Sequence, residues 1–156
     1  MQALKQTLQT WAFALLRIPM ILFCTPKVIF LDANRCEVKI PLNYRTRNHV
    51  KSMYFGALAV GADLAGGLFV MEAIKASKKN VGFIFKDFKA DFLKLAKGDV
   101  HFHCTEGAKV KAVVNECLRT KKRANRTVNM WATTPSVSGD EPVCKFTLTI
   151  SVKEQA

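Results

Sequence analysis

Apolar and polar residues alternate along several short segments of this chain, which is the pattern of β-strands with one buried face. The clearest segment is 144–153, in which every second residue is apolar: Cys144, Phe146, Leu148, Ile150 and Val152. The same period occurs in 36–42 and 99–105, and the segments 27–32 and 126–133 are also strand-like in composition. We predict antiparallel strands here, each with one face on the core and the other in water.

The alternation changes phase within the segment 81–92. Its first half has apolar residues at odd positions and its second half at even positions: Val81, Phe83 and Phe85, then Phe88, Ala90 and Phe92. A β-bulge near Lys86 and Asp87 would keep both sets on the core face and would bend the strand. A bent strand indicates a sheet that curls around another element.

Residues 1–20 have a helical period instead. Apolar side chains recur at spacings of three and four residues: Leu4, Leu8, Trp11, Leu15 and Ile18. This stripe predicts an amphipathic helix that ends near Pro19 and packs on the domain, with a partner or a membrane surface as the alternatives. The apolar run 11–23 is short and is interrupted by Arg17 and Pro19, so we expect no transmembrane segment here. Only one cation, Lys5, precedes the run and no A-x-A-like cleavage site follows it, so we expect no signal peptide.

The segment 52–75 is the longest apolar stretch, and Asp63 is the single charged residue between Met53 and Met71. A surface helix would have a polar face, so this pattern predicts a helix buried in the core. A membrane-spanning helix would place Asp63 in the middle of the bilayer and would leave the one-sided strands unexplained. We therefore predict one α+β domain over 1–156, with a curved antiparallel sheet wrapped around a long central helix.

The formal net charge of +12 indicates an anionic partner or a strongly solvated surface. One cluster contains five cations and no acid: Arg119, Lys121, Lys122, Arg123 and Arg126. The segment 109–123 predicts a short helix that ends in these cations and is followed by a strand. A nucleic-acid binder would also be basic, but the chain has no recognised nucleic-acid motif and only two Trp and two Tyr. We expect no nucleic-acid partner.

The cysteines and histidines give no sign of a metal site. Five cysteines are present, an odd number, and no two have C-x-x-C spacing: Cys24, Cys36, Cys104, Cys117 and Cys144. This predicts neither a disulfide framework nor a zinc site, and it fits the reducing cytoplasm. His101 and His103 fall on the polar face of a predicted strand, so we expect them to be exposed rather than metal-bound.

The stretch NHVKSMYFGALAVGADLAGG, residues 48–67, resembles an uncharacterised family of hotdog-fold, thioesterase-like proteins. More broadly, the chain is similar to acyl-CoA thioesterases of the phenylacetate type. The resemblance covers nearly the whole chain: a leading helix, two strands, the central helix and four more strands. It implies the hotdog fold and a homodimer or dimer of dimers with active sites between subunits. It also implies a coenzyme A or acyl-carrier-protein thioester as substrate, with no bound cofactor.

Phenylacetate-type enzymes have a His-Gly-Gly at the start of the central helix and an Asp about two turns later. Aligning that Asp with Asp63 puts Tyr54, Phe55 and Gly56 on the His-Gly-Gly positions. The chain keeps the carboxylate and one glycine but lacks the His-Gly pair. This departure favours a second hypothesis, a non-catalytic protein that binds acyl groups or lipids.

A carboxylate in a dry helix suits thioester hydrolysis, because desolvation raises its pKa and makes it a stronger base than a surface Asp. Asp63 would activate a water molecule or attack the thioester carbonyl itself. The N–H groups of Tyr54, Phe55 and Gly56 at the helix start would bind the developing oxyanion. The alternative is a structural Asp63, hydrogen-bonded to a strand or to a partner helix.

Asn48 and His49 precede the central helix, where either side chain would reach a substrate carbonyl or a water molecule. Asn48 would alternatively cap the helix or its turn. Hotdog dehydratases also place a His before the helix and a carboxylate within it, so His49 and Asp63 define a third hypothesis, although the Pro-Gly-rich loop of those enzymes is missing. The basic cluster would bind the phosphates of coenzyme A or an acidic carrier protein, or it would simply be solvated.

Overall fold

A computed structural model describes residues 1–155 of the chain. Its helices are α1 (Gln2–Arg17), α2 (Pro19–Phe23), α3 (Phe55–Ser77), α4 (Gly107–Thr120) and α5 (Pro135–Ser138). Its strands are β1 (Lys27–Leu31), β2 (Cys36–Ile40), β3 (Val81–Phe92), β4 (Val100–Cys104), β5 (Ala124–Thr133) and β6 (Pro142–Glu154). Each segment predicted from its alternation is a strand, with ends that differ from the prediction by a few residues.

The six strands form one antiparallel sheet in the order β1-β2-β4-β5-β6-β3. α3 contacts every strand from β2 to β6, so the sheet curls around this helix. The inward-facing residues of β4 are completely buried against it: Val100, Phe102 and Cys104. This is the hotdog fold with an additional N-terminal helix, as the sequence predicts.

The predicted β-bulge in β3 is confirmed. Phe85 pairs with Ile150 and Asp87 pairs with Thr149, so Lys86 is an extra residue with no counterpart on β6. The insertion brings the apolar residues of the second half to the same face as those of the first half. Ala90 packs on the core there, whereas Phe88 and Phe92 remain 45% and 56% exposed.

The long apolar segment is a core helix, and it begins at Phe55 rather than at residue 52. Among residues 1–155, α3 is the one helix long and apolar enough to cross a bilayer, and 61% of its most apolar window is buried inside the fold. Burial against the sheet therefore explains why its sequence lacks a polar face.

The prediction for the N-terminal helix is wrong about the face that packs. α1 buries Thr7, Thr10 and Ala14 against the domain, and Trp11 is half-buried. The other members of the predicted stripe point outward, with exposed fractions of 41–65%: Leu4, Leu8, Leu15 and Ile18. The helix also ends one residue earlier than predicted, and Pro19 starts the separate helix α2.

Hydrogen bonding to the sheet edge gives the reason for this orientation. β1 is an edge strand with unpaired backbone groups, which must find polar partners. The Val28 N–H donates to Thr7 Oγ1 at 2.9 Å, Gln6 Nε2 donates to the Leu31 carbonyl at 3.2 Å, and Trp11 Nε1 donates to the Pro26 carbonyl at 2.7 Å. The polar face of α1 therefore covers the edge, and the leucines face away from the domain.

Candidate functional site

Asp63 lines a cavity of about 640 Å³ between α1, α3 and the first half of β3. The walls are mainly apolar: Phe13, Ile21, Leu68, Met71, Phe83 and Phe85. Gly67 also lines this space, and a Cβ at that position would still be 3.9 Å from the Phe83 ring. A cavity of this size and lining can hold a small organic ligand, and Asp63 would then be part of the wall around it.

The Asp63 carboxylate has no hydrogen-bond or salt-bridge partner within residues 1–155. It is partly buried, and this burial raises its pKa above the usual range for Asp, since no nearby cation compensates for the lost hydration. A carboxylate that is desolvated and unpartnered is a stronger base than one on the surface. Within residues 1–155 no hydrogen bond joins it to a strand, so a structural role would need a bond to a partner helix.

The start of α3 has free backbone donors, but Tyr54 is not one of them. The Tyr54 N–H donates to the Thr46 carbonyl at 2.8 Å, which corrects the expectation that this group is available to an oxyanion. The N–H groups of Phe55 and Gly56 have no backbone acceptor within residues 1–155, and no side chain caps the helix. These two groups form a small donor site with the positive end of the helix dipole behind it.

The local geometry also explains the glycine at position 56. A Cβ there would lie 2.5 Å from Cε1 of the Tyr54 ring, so any larger residue would displace that ring. The ring of Tyr54 is in contact with that of Phe55, at 4.7 Å between centroids, and both side chains are exposed. Asp63 is seven positions after Gly56, which is about 10 Å along the helix axis. Within one chain the donors and the carboxylate are therefore too far apart to act on one carbonyl group.

The side chain of Asn48 is bonded within the turn that precedes α3. Its Oδ1 accepts the Val50 and Ser52 N–H groups at 3.0 and 3.1 Å, and its Nδ2 donates to Ser52 Oγ at 2.9 Å. Asn48 thus stabilises the turn, the alternative considered from the sequence, and does not cap α3. His49 is exposed on the same turn and does not line the Asp63 cavity.

The basic cluster lies at the end of α4 and the start of β5, and none of its residues lines the Asp63 cavity. Lys121 forms a salt bridge with Glu154 at 2.7 Å, and Arg126 forms one with Glu116 at 2.8 Å. Arg123 donates to Ser151 Oγ at 2.9 Å. Arg119 and Lys122 form no salt bridge within residues 1–155, so they are the two cations of the cluster best able to meet an external anion.

The expectation that His101 and His103 are exposed is wrong. Their side chains are only 19% and 17% exposed, because β2 pairs with β4 and brings both rings to Glu37. His101 Nδ1 lies 2.8 Å from Glu37 Oε1, and His103 Nε2 lies 3.0 Å from Thr133 Oγ1. Burial opposes ionisation of Glu37, but hydrogen bonds from His101 and Arg35 outweigh it and lower its pKa. Burial lowers the pKa of His103.

Sequence reasoning missed this cluster because the partner strands are far apart in the chain. The polar faces of 36–42 and 99–105 are visible separately, but nothing local indicates that Glu37 lies opposite His103.

The five cysteines are free and buried, and burial raises the pKa of the Cys104 thiol to about 11. Within residues 1–155, no group of three His, Cys, Asp or Glu side chains has a metal-binding arrangement.

Comparison with known proteins agrees with this architecture. Residues 6–152 match a family model described as a domain of unknown function, DUF4442. A Pseudomonas aeruginosa protein of unknown function, described as a probable thioesterase, is 18% identical with a TM-score of 0.77, over 94% of this chain and 95% of that one. A Chlorobaculum tepidum protein of unknown function is 12% identical with a TM-score of 0.83, over 98% and 97%.

A Haemophilus influenzae protein described as a thioesterase is also similar in structure. It is 12% identical with a TM-score of 0.64, over 90% of this chain and 86% of that one. No protein of curated function matches the chain significantly. At these identities the solved structures share the fold with this chain, and the chemistry has to be argued from its own residues.

Proposed function

The chain belongs to the DUF4442 family, and we propose that it hydrolyses acyl thioesters with Asp63 as the catalytic carboxylate. The observation that supports this most directly is a partly buried carboxylate, unpartnered within residues 1–155, in the wall of a mainly apolar cavity of about 640 Å³. The cavity takes the acyl group, and Asp63 is close to the carbonyl carbon. The similarity to proteins described as thioesterases supports the same reaction class.

Asp63 can take part in the hydrolysis by two routes. In the first, Asp63 accepts a proton from water as the water oxygen bonds to the carbonyl carbon. The tetrahedral intermediate then breaks its C–S bond, and the thiolate takes the proton from Asp63. In the second, an Asp63 oxygen attacks the carbonyl carbon and expels the thiolate. Water then cleaves the anhydride to the free acid and protonated Asp63, whose proton passes to the thiolate and restores the carboxylate.

The oxyanion needs donors that the same chain does not supply, given the axial distance of about 10 Å between Gly56 and Asp63. A second copy would supply them through the N–H groups of its own Phe55 and Gly56. β3 is an edge strand with exposed apolar side chains, including Ile84, Phe88 and Phe92. Ile84 also lines the Asp63 cavity, so pairing of two β3 edges would bring the second copy next to that cavity.

A homodimer is therefore the expected catalytic unit. Sedimentation velocity should give a mass of twice the 17.4 kDa chain, or four times if two dimers associate. Active protein that sediments as a monomer would contradict the composite site. An inactive monomer would agree with the composite site, and the activity of Asp63 would then be measured under conditions that restore the dimer.

The substrate thiol is proposed to be coenzyme A, with Arg119 and Lys122 close to its phosphates. Arg119→Gln/Lys122→Gln should raise KM for acyl-CoA about fivefold, because two exposed ion pairs of about 0.5 kcal/mol each are lost. KM for the matching acyl-pantetheine thioester, which lacks the nucleotide, should not change. Lys97→Gln/Lys145→Gln removes two exposed cations away from the cluster and is the control, because Lys145 pairs with Trp131 at the other end of β5. An equal change in KM for both substrates would mean that the cluster does not bind the nucleotide.

The first test is thiol release from short, aromatic and long-chain acyl-CoAs by the wild-type protein. Turnover of one class identifies the reaction and the acyl group together. Acyl-CoA binding without turnover on every substrate would instead favour the non-catalytic acyl-binding protein, which the absent His-Gly pair supports. Hydration of enoyl-CoA that is lost in His49→Ala would favour the dehydratase hypothesis.

A further inference from the structure

The outward face of the N-terminal helices is unusually apolar. Six large side chains there have exposed fractions between 52% and 80%: Leu4, Leu8, Leu15, Leu16, Met20 and Phe23. We call these residues the N-terminal apolar surface. Leu4, Leu8 and Leu15 are spaced by four and seven residues, so they lie along one face of α1. A row of exposed leucines on one helix face is typical of an interaction surface rather than of scattered exposure.

The orientation of this surface is fixed by the fold. The opposite face of α1 is held by the hydrogen bonds of Gln6, Thr7 and Trp11 to the β1 edge and to Pro26. Rotating the leucines inward would break these bonds and leave the β1 edge unpaired. The leucines are therefore exposed in the chain by itself and are free to contact another surface.

The segments that carry and adjoin the surface contain cations but no acids, and the acids near α1 line cavities with its inward-facing residue Gln6: Asp32, Asp63 and Glu72. Residues 1–31 contain Lys5, Arg17 and Lys27 but no Asp or Glu, and residues 38–62 also contain no acid. The Arg45 guanidinium lies 5.7 Å from the centre of the Phe23 ring, which connects the second of these segments to the apolar surface. The neighbouring Tyr44 is 85% exposed. Arg17 and Arg45 form no salt bridge within residues 1–155.

From these observations we propose that the N-terminal apolar surface docks on an anionic lipid bilayer. Leucines and Phe23 enter the interface between headgroups and acyl chains, while Lys5, Arg17 and Arg45 meet the lipid phosphates. A second copy of the chain is a poorer occupant, because it would place two rims of cations against each other. The anionic inner leaflet also fits the expected cytoplasmic location. This proposal is independent of the catalytic role of Asp63.

The test is co-sedimentation of the full chain with phosphatidylcholine vesicles, with and without phosphatidylserine. The wild type should bind the anionic vesicles, and added salt should weaken the binding. Leu8→Gln/Leu15→Gln should weaken it at least tenfold, because burial of two leucines is lost. Leu95→Gln/Val137→Gln is the matched control, since these side chains are also exposed, at 59% and 58%, but lie elsewhere.

The charges are tested separately. Arg17→Gln/Arg45→Gln should reduce binding to anionic vesicles several-fold, and Lys79→Gln/Lys153→Gln should reduce it less. Equal losses would mean that the net charge alone attracts the protein, which would overturn the proposal. No binding by the wild type would also overturn it. A fall in the sedimentation mass of Leu8→Gln/Leu15→Gln without lipid would assign the surface to self-association instead.

Discussion

Asp63→Asn is expected to lower kcat for acyl-CoA hydrolysis by about 10²–10⁴-fold, the usual effect of removing a general base. Asparagine has nearly the same shape, so the cavity and the fold are retained. It neither accepts a proton from water nor attacks a carbonyl as a carboxylate does. The measurement is thiol release under saturating substrate, and Asp140→Asn, which alters an exposed carboxylate, is the control.

The stability of the same variant separates a catalytic Asp63 from a structural one. The carboxylate has no hydrogen-bond partner within residues 1–155, so replacing it breaks no bond there, and it removes the cost of a desolvated charge. Asp63→Asn should therefore melt at the same temperature as the wild type or higher at neutral pH. A clear fall in the melting temperature, together with retained turnover, would mean that Asp63 is a structural acid.

The pH dependence follows from the direction of the pKa shift. The base must be ionised, so kcat/KM should fall as the pH is lowered through the raised pKa of Asp63, above the usual value of 3.8. The effect on folding has the opposite sign, because the folded state holds this proton more tightly than the unfolded chain. Protonated Asp63 therefore contributes stability at low pH. This contribution is lost as the pH rises from about 3.8 through the raised pKa of Asp63 in the folded state. A pH–rate profile without an Asp63-dependent acid limb would contradict the assignment.

Local patterns in the sequence are sufficient to predict most of this fold. The strands were recognisable because each has one dry and one wet face, and the bulge at Lys86 because a change of phase can have few other causes. The central helix was recognisable because a long segment without a polar face needs complete burial. Asp63 was a candidate because it interrupts that segment.

The failures concern partners that are distant in the chain. α1 turns its leucines outward because Thr7 bonds to Val28, and the hydrophobic period of a helix does not contain that information. The Tyr54 N–H is occupied by the carbonyl of Thr46, which lies in a loop without any periodic pattern. His101 and His103 are covered because β2 pairs with β4, a pairing that one strand alone does not specify.

Gly61→Ala is expected to destabilise the protein by about 2–3 kcal/mol, at the upper end of the cost of overpacking a core. α3 crosses β4 at this glycine, and a Cβ there would lie 2.2–2.5 Å from three atoms of the Phe102 ring. Phe102 is completely buried, so its ring has no free space to move into. The measurement is the urea midpoint, with the slope of the transition checked for a constant unfolding mechanism.

Gly66→Ala is the matched control on the same helix. The nearest side-chain atoms to a Cβ at that position are 3.5 Å away, so alanine fits and should stabilise the helix by up to about 1 kcal/mol. Equal effects of the two substitutions would mean that Phe102 does not set the distance between helix and sheet. If Phe102 does set this distance, α3 must move away from β4 in Gly61→Ala. Asp63 lies two residues further along the helix and must move with it. The folded fraction of Gly61→Ala should then also have a lowered kcat, because the position of the carboxylate depends on the same contact that stabilises the core.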